Sequence, residues 1–319
     1  VLPSKRRQRR YCGKWAADMV EIKDQKFGYV SIIGAPNAGK STLLNALLGS
    51  KLSIVSPRVQ TTRFRLQGIA MLGNAQMVLV DTPGLFSGKS RLDRAMLDAA
   101  NRAYQDADIL VLLFDLRQGV NLDLLRLLPA HGTTKQQRFY VLNKMDLADP
   151  ARINAAEKAI RQADESARIF VISALHGHAL EPLKQALIQA IPTAPWLYPA
   201  EQLSDISERL WAAEITREQI FLQLAEEVPY GIYVETEKWE DFKNGAVKIS
   251  QIIVVSREAY KPIILGKGGA QIKRLREAAQ AQMAEVFGRE AHLFLFVKVR
   301  PDWQENRQVY GEMGLEYNS

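Results

Sequence analysis

Cysteine is nearly missing from this chain: Cys12 is the single one among 319 residues. That excludes a disulfide scaffold and fits a reducing compartment. Histidine is scarce as well, with four residues and no metal-ligand spacing; His176 and His178 flank Gly177 and read as a solvated loop. No stretch of 18 apolar residues occurs, so no membrane-spanning helix is expected. Acidic residues are absent before Asp18, whereas Lys5, Arg6, Arg7, Arg9, Arg10 and Lys14 supply six positive charges there. The net charge of +7 is therefore +1 beyond residue 14, and the total is no footprint of nucleic-acid binding. No apolar core follows this basic run, so a signal peptide is not expected. The first 18 residues lack an apolar period and are expected to be disordered. Met19, about ten residues before the first strand candidate, is expected as the native start.

What is present is ordinary for a globular chain: 47% hydrophobic and 24% charged residues over a length that suits about two domains. Apolar strand-like runs at 29–33, 64–72, 76–80, 108–114, 138–142 and 169–172 alternate with amphipathic helical segments such as 93–105, 151–164 and 179–190. The alternation predicts an α/β domain over 27–191, with a mainly parallel sheet that binds ligands at the carboxyl ends of its strands. Pro192, Pro195 and Pro199 punctuate a linker at 192–204. A smaller α+β unit at 205–303 then reads α-β-β-α-α-β, its hairpin marked by Lys243-Asn244-Gly245, and a polar tail at 304–319 closes the chain. Residues 1–26 form a basic extension.

The chemistry is concentrated just after the strands. Gly34-Ala35-Pro36-Asn37-Ala38-Gly39-Lys40-Ser41, followed by Thr42, fits G-x-x-x-x-G-K-[ST] between a buried strand and a helix. Glycines let successive N–H groups face phosphate oxygens at a helix N-terminus. Lys40 is expected on the β- and γ-phosphates and Ser41 on Mg2+. Asp81-Thr82-Pro83-Gly84 follows the strand at 76–80; Asp81 is expected in the Mg2+ shell and the Gly84 N–H at the γ-phosphate. Asn143-Lys144-Met145-Asp146 follows the strand at 138–142. A carboxylate at Asp146 pairs with guanine N1–H and N2–H2, a donor pair that adenine lacks, which disfavours an ATPase. Asn143 and the stem of Lys144 are expected to fix the loop and cover the base, and Ser173-Ala174-Leu175 to offer a backbone N–H to guanine O6. In the segment 56–63, Thr62 is the expected Mg2+ ligand when the γ-phosphate is present, with Thr61 second. Leu85 occupies the position where a water-orienting glutamine stands in Ras-like enzymes, so intrinsic hydrolysis should be slow. Asn37 is a candidate ligand for a monovalent cation such as K+ that supplies the missing charge; a loop hydrogen bond is its other reading.

In the second unit, Gly266-Lys267-Gly268-Gly269 sits between two helical segments, a G-x-x-G that lets a nucleic-acid backbone approach. Residues 200–319 hold fifteen basic and nineteen acidic side chains, a net of −4. Against that background Arg257, Lys261, Lys267, Lys273, Arg274 and Arg276 concentrate six cations in twenty residues, with Glu258 the one acid among them.

Together these motifs resemble the Era family of ribosome-associated GTPases, in its bacterial branch, over roughly residues 27–316. The resemblance is carried by the phosphate loop through Thr42, Gln60-Thr61-Thr62-Arg63, Asp81 to Gly84, Asn143 to Asp146, Leu265 to Lys273, and the run His292 to Val299. It implies a Ras-like P-loop GTPase domain followed by a type II KH domain. It implies GTP/GDP and Mg2+ as cofactors, and a switch in which Lys40, Thr62, Gly84 and Asn37 serve hydrolysis. The implied partners are 16S rRNA near its 3′ end and the 30S subunit. The implied setting is the cytoplasm, with loose peripheral contact at the inner membrane; mitochondrial relatives exist, and a monomer is expected. Two other functions suit parts of the pattern. A tRNA-modification GTPase shares Asn37 and the double threonine but lacks the GxxG unit. A membrane or cell-division scaffold calls for a basic amphipathic helix, whereas 205–226 carries mixed charge.

Overall fold

A computed structural model describes residues 24–56, 66–81, 90–121, 136–224 and 228–317. Thr61, Thr62, Thr82, Pro83, Gly84, Leu85 and residues 1–23 of the basic extension lie outside the described residues, and Lys26, placed in that extension, instead opens the first strand.

The first unit is built on a six-stranded sheet: β1 (Lys26–Gly34), β2 (Leu66–Leu72), β3 (Ala75–Asp81), β4 (Ile109–Asp115), β5 (Gln137–Asn143) and β6 (Arg168–Val171). Its spatial order is β2-β3-β1-β4-β5-β6, and only β2 runs antiparallel to its neighbour. β1, β3 and β4 are continuous apolar runs because helices cover both of their faces. Those helices are α1 (Lys40–Leu48), α2 (Arg91–Gln105), α3 (Pro150–Ala163) and α4 (Leu180–Ala190). Ser90 and Asp93 form a reciprocal capping box at the start of α2, and Asp149 with Pro150 starts α3.

The second unit has α5 (Glu208–Gln223), β7 (Ile232–Asp241), β8 (Val247–Val255), α6 (Tyr260–Leu265), α7 (Ala270–Phe287) and β9 (Ala291–Val299). β7 and β8 are antiparallel, β8 and β9 parallel, and helices α5 and α7 pack on this three-stranded sheet. The order α-β-β-α-α-β matches the expectation. On α5 the burial runs against polarity: Leu222 is 51% exposed, while Thr216, Arg217 and Glu218 are buried in succession. A polar tail was also expected beyond residue 303. Instead Trp303 stacks on Tyr233, and α8 (Arg307–Glu312) with the turn after it buries Val309, Tyr310, Met313 and Leu315 against Leu92, Met96 and Ala99 of α2. The tail is thus part of the core that joins the two units.

The proline-punctuated stretch is bound to the first sheet. The buried Gln76 amide accepts from the N–H groups of Leu197 and Tyr198 (3.0 and 2.9 Å) and donates to the Tyr198 carbonyl (2.8 Å). Further on, the Ile69 N–H donates to Leu203, and Ser204 bridges to Gly68 on the free edge of β2. Three prolines remove ladder donors, so side-chain and isolated backbone bonds replace a seventh strand.

Candidate functional site

The turn between β1 and α1 is fixed by backbone geometry. Asn37 and Gly39 have positive φ (62° and 100°), and a Cβ at Gly39 would collide with the Asn143 amide. Glycine is needed there for both reasons. Lys40 is buried and donates to the carbonyls of Gly34 and Ala35 (3.1 and 3.0 Å), so the loop is curled around its ammonium. Burial pulls the Lys40 pKa down to about 8, with Asp81 partly opposing the shift. A cation held in this way favours an anionic guest that returns its lost solvation. Ala35 and Pro36 are half-buried, Ala38 is buried, and Thr42 lies in the first turn of α1.

At the C-terminal end of β3, buried Asp81 accepts from Ser41 Oγ (2.7 Å) and from Ser53 Oγ (2.8 Å) through the same oxygen. A hydroxyl and a carboxylate side by side beneath an anion cradle are the hard-oxygen donors that Mg2+ takes together with phosphates and water. No group of three His, Cys, Asp or Glu suited to a metal occurs among the described residues, and this manner of holding Mg2+ requires none.

The third element ties the Asn143–Asp146 loop to the turn between β1 and α1. Asn143, buried at the end of β5, donates to the Ala38 carbonyl (2.8 Å) and accepts from the Ala174 N–H (3.0 Å). One amide therefore spans the phosphate loop and the Ser173–Leu175 loop. Lys144, at φ 67°, donates to the Asn37 carbonyl and to Asp115 Oδ2 (both 2.6 Å). These bonds hold a non-glycine residue in left-handed backbone, the kind of strain that clusters at functional sites. Asp146 is 20% exposed. A hydrogen bond from Ser173 holds its carboxyl below the usual range, against the effect of burial. It is ready to accept as an anion. Leu175 is exposed, and His176 Nε2 lies 3.7 Å from Asp146.

Three contributors went unread in the sequence. Asp115 closes β4 and is 1% exposed; burial works against its charge, but hydrogen bonds from Arg117 and Lys144 outweigh that and lower its pKa. An acid ending an otherwise apolar strand, at the sheet end where ligands bind, was the available signal. Ser53 had none, being one serine in an unremarkable loop. His176 is exposed in its loop, as expected; what went unread is its position 3.7 Å from Asp146.

The GxxG turn joins α6 to α7 with Gly266, Gly268 and Gly269 all at positive φ (71°, 61° and 78°). A Cβ at Gly266 would meet Gln271, whereas Gly268 and Gly269 face open space. Around it Arg257, Lys267, Lys273 and Arg274 are exposed and Lys261 and Arg276 half-buried. Arg276 is partly committed, bonding Gln280 and Glu277 at 3.3 Å.

The comparisons with known proteins agree with this division. Residues 29–144 match a family described as 50S ribosome-binding GTPase, and residues 227–304 match the KH domain. GTPase Era of Brucella suis biovar 1 (strain 1330) is 45% identical over 302 residues, covering 95% of this chain and 97% of that protein. GTPase Era of Rhizobium meliloti (strain 1021) is 46% identical over 290 residues, covering 91% and 93%. A crystal structure of Era in complex with MgGDPNP and nucleotides 1506-1542 of 16S ribosomal RNA aligns at TM-score 0.85 and 34% identity, covering 91% of this chain and 99% of that one. A variant of Aquifex aeolicus Era bound to GDP.AlF4- aligns at 0.84 and 32%, with the same coverage. Sequence and fold agree over nearly the whole of both partners in each comparison, and the chain belongs to the Era family of GTPases.

Proposed function

We propose that this protein is a GTP-hydrolysing switch that binds 16S rRNA near its 3′ end and assists assembly of the 30S subunit. The observation that carries the nucleotide half is the wiring of Asn143 and Lys144 to the phosphate loop, which sets an anionic Asp146 at one end of a cradle whose other end holds Lys40. In this reading the loop from Gly34 to Thr42 wraps the phosphates. Lys40 exchanges its two carbonyl partners for β- and γ-phosphate oxygens, gaining a charged acceptor where it now has neutral ones. Ser41, Asp81 and Thr62 hold Mg2+, which supplies charge neutralisation at the phosphates. Gly84 meets the γ-phosphate through its N–H, and Asp146 selects guanine over adenine. Leu85 has no group to orient water, so turnover is slow. Asn37, in its left-handed conformation beside Lys144, is the residue we assign to K+. Replacing K+ by Na+ should then lower the hydrolysis rate in wild type but not in Asn37→Ala.

For the RNA half, the open GxxG turn with exposed Lys267, Lys273, Arg274 and Arg257 supports backbone contact with unpaired RNA, with Lys261 and Arg276 at its margin. The Era complex that aligns over 91% of this chain contains 16S rRNA. We weigh it above the 50S wording of the GTPase family, which matches residues 29–144 alone. Crosslinking of the protein to RNA in cells, followed by sequencing, tests this reading. Recovery of the 3′ end of 16S rRNA supports it, and enrichment of tRNA overturns it in favour of a tRNA-modification role.

A further inference from the structure

Three polar residues in a row are buried on α5, and each needs partners. Thr216 bonds Gln251 and Arg217 pairs with Glu214, both inside the KH unit. Glu218 is different. Its side chain is 1% exposed, and two of its donors come from the GTPase unit. Oε1 accepts from the backbone N–H of Val55 (2.7 Å), and Oε2 faces the Lys51 ammonium (2.8 Å). The third donor is Gln282 Nε2 (2.7 Å), on α7, the helix that opens at the GxxG turn.

The segment gripped by Glu218 is held at its other side by the nucleotide site. The Asn45 side chain, on α1, accepts from the N–H groups of Leu52 and Ser53 (2.9 and 2.8 Å) and donates to the Ser53 carbonyl (2.7 Å). Ser53 Oγ then donates to Asp81, the carboxylate assigned to the Mg2+ shell. One residue, Ile54, separates Ser53 from Val55, and both Ile54 and Leu52 are buried. A shift of the Val55 backbone therefore moves the hydroxyl that orients Asp81.

On the KH side the hydrogen bonds continue with one polarity. Gln219 donates to Gln282 (2.8 Å), Gln223 to Gln219 (3.2 Å), and Gln271, just beyond the GxxG turn, to Gln223 (3.4 Å). Each amide donates toward the next, and the series ends on Glu218, which as a carboxylate can only accept. The two outer bonds are long and exposed; the inner ones are partly buried and short.

Resting on the GTPase and RNA-binding reading above, we infer that Glu218 is a positioning residue for GTP hydrolysis supplied by the RNA-binding domain. It fixes residues 51–55 against Asp81, and Gln282 makes that grip depend on the helix that carries the GxxG turn.

The test uses the full chain and reads two quantities: GDP affinity with a fluorescent nucleotide and single-turnover GTP hydrolysis. Glu218→Gln keeps the shape and one acceptor but removes the charge. Hydrolysis should slow by about tenfold while GDP affinity stays within about twofold, because a hydrogen bond to a charged group is lost at the Asp81 side alone. Gln282→Leu and Lys51→Met, which each remove one donor and leave the carboxylate in place, should slow hydrolysis by about threefold. These two decide the matter if Glu218→Gln does not fold. Gln223→Ala, on the exposed outer part, should be neutral. Hydrolysis within twofold of wild type in Glu218→Gln, or a GDP affinity that falls in parallel with the rate, overturns the inference. A wild-type protein that hydrolyses no GTP instead overturns the function on which it rests.

Discussion

The phosphate loop and the GxxG turn are both glycine-shaped entries to a helix, and they are prepared in opposite ways. Around the first, Asn143, Lys144 and Lys40 bond loop carbonyls at 2.6–3.1 Å, and buried Asp81 and Asp115 anchor the neighbouring strand ends. Around the second, Gly268 and Gly269 have nothing within 4 Å of a would-be Cβ, and most of the nearby cations are exposed. A small ligand of fixed shape rewards preorganisation, since the geometry is set before binding. A flexible polyanion rewards spread charge and an accessible backbone. On the proposed function, the same local motif serves recognition by shape in one domain and by field in the other.

Lys40→Ala tests the preorganised end most severely. It leaves curled carbonyls without their cation, and GTP affinity should drop by roughly 1000-fold, as for truncation of a buried charged partner; retained micromolar binding by calorimetry breaks the comparison. Asp146→Asn should cost GTP roughly 100-fold and transfer preference to xanthosine nucleotides, read by competition between XTP and GTP. Next comes pH. With its pKa near 8, Lys40 in the free protein loses its proton as pH rises through 8, while a bound triphosphate favours the charged form. Binding above pH 8 must then take up a proton, and GTP affinity should fall by roughly tenfold between pH 8 and 9 at most. Calorimetry in buffers of different ionisation enthalpy measures that uptake directly, and an affinity flat to pH 9.5 contradicts it. The smallest effect belongs to the open end. Gly268→Asp adds bulk and negative charge where space is free, and aspartate is among the residues that tolerate the left-handed backbone there (φ 61°), so the fold should persist, RNA affinity should drop roughly fivefold at low salt, and RNA-free GTP turnover should not change. An equal loss in both activities would show that the two regions are not prepared separately.

Much of this was legible because it is periodic or local. The strand runs of β1, β3 and β4 and the G-x-x-x-x-G-K-S motif are each contained in a short continuous stretch, so near neighbours in sequence decide their conformation. Asp115, Ser53 and Glu218 were not legible, because their partners are distant in sequence; Val55 and Glu218 are 163 residues apart. The C-terminal segment escaped for a different reason. Trp303, Val309, Tyr310, Met313 and Leu315 are spread over a three-residue turn, a six-residue helix and the turn after it, each too short to display a period. The buried polar face of α5 reversed a sound rule, since charge on a helix usually marks its solvated side.

The attachment of the 192–204 stretch to the first sheet sets how far the two domains can part. Ser204 is still bonded to β2, and α5 begins at Glu208, so only Asp205, Ile206 and Ser207 span the distance between them. Three residues reach about 10 Å when fully extended. A domain on so short a leash, once its buried contacts open, stays at a very high effective concentration relative to its partner surface. Re-docking is then governed by orientation rather than search. On the proposed function, RNA captured at the GxxG turn would be held within reach of the GTPase domain whether the interface is closed or open.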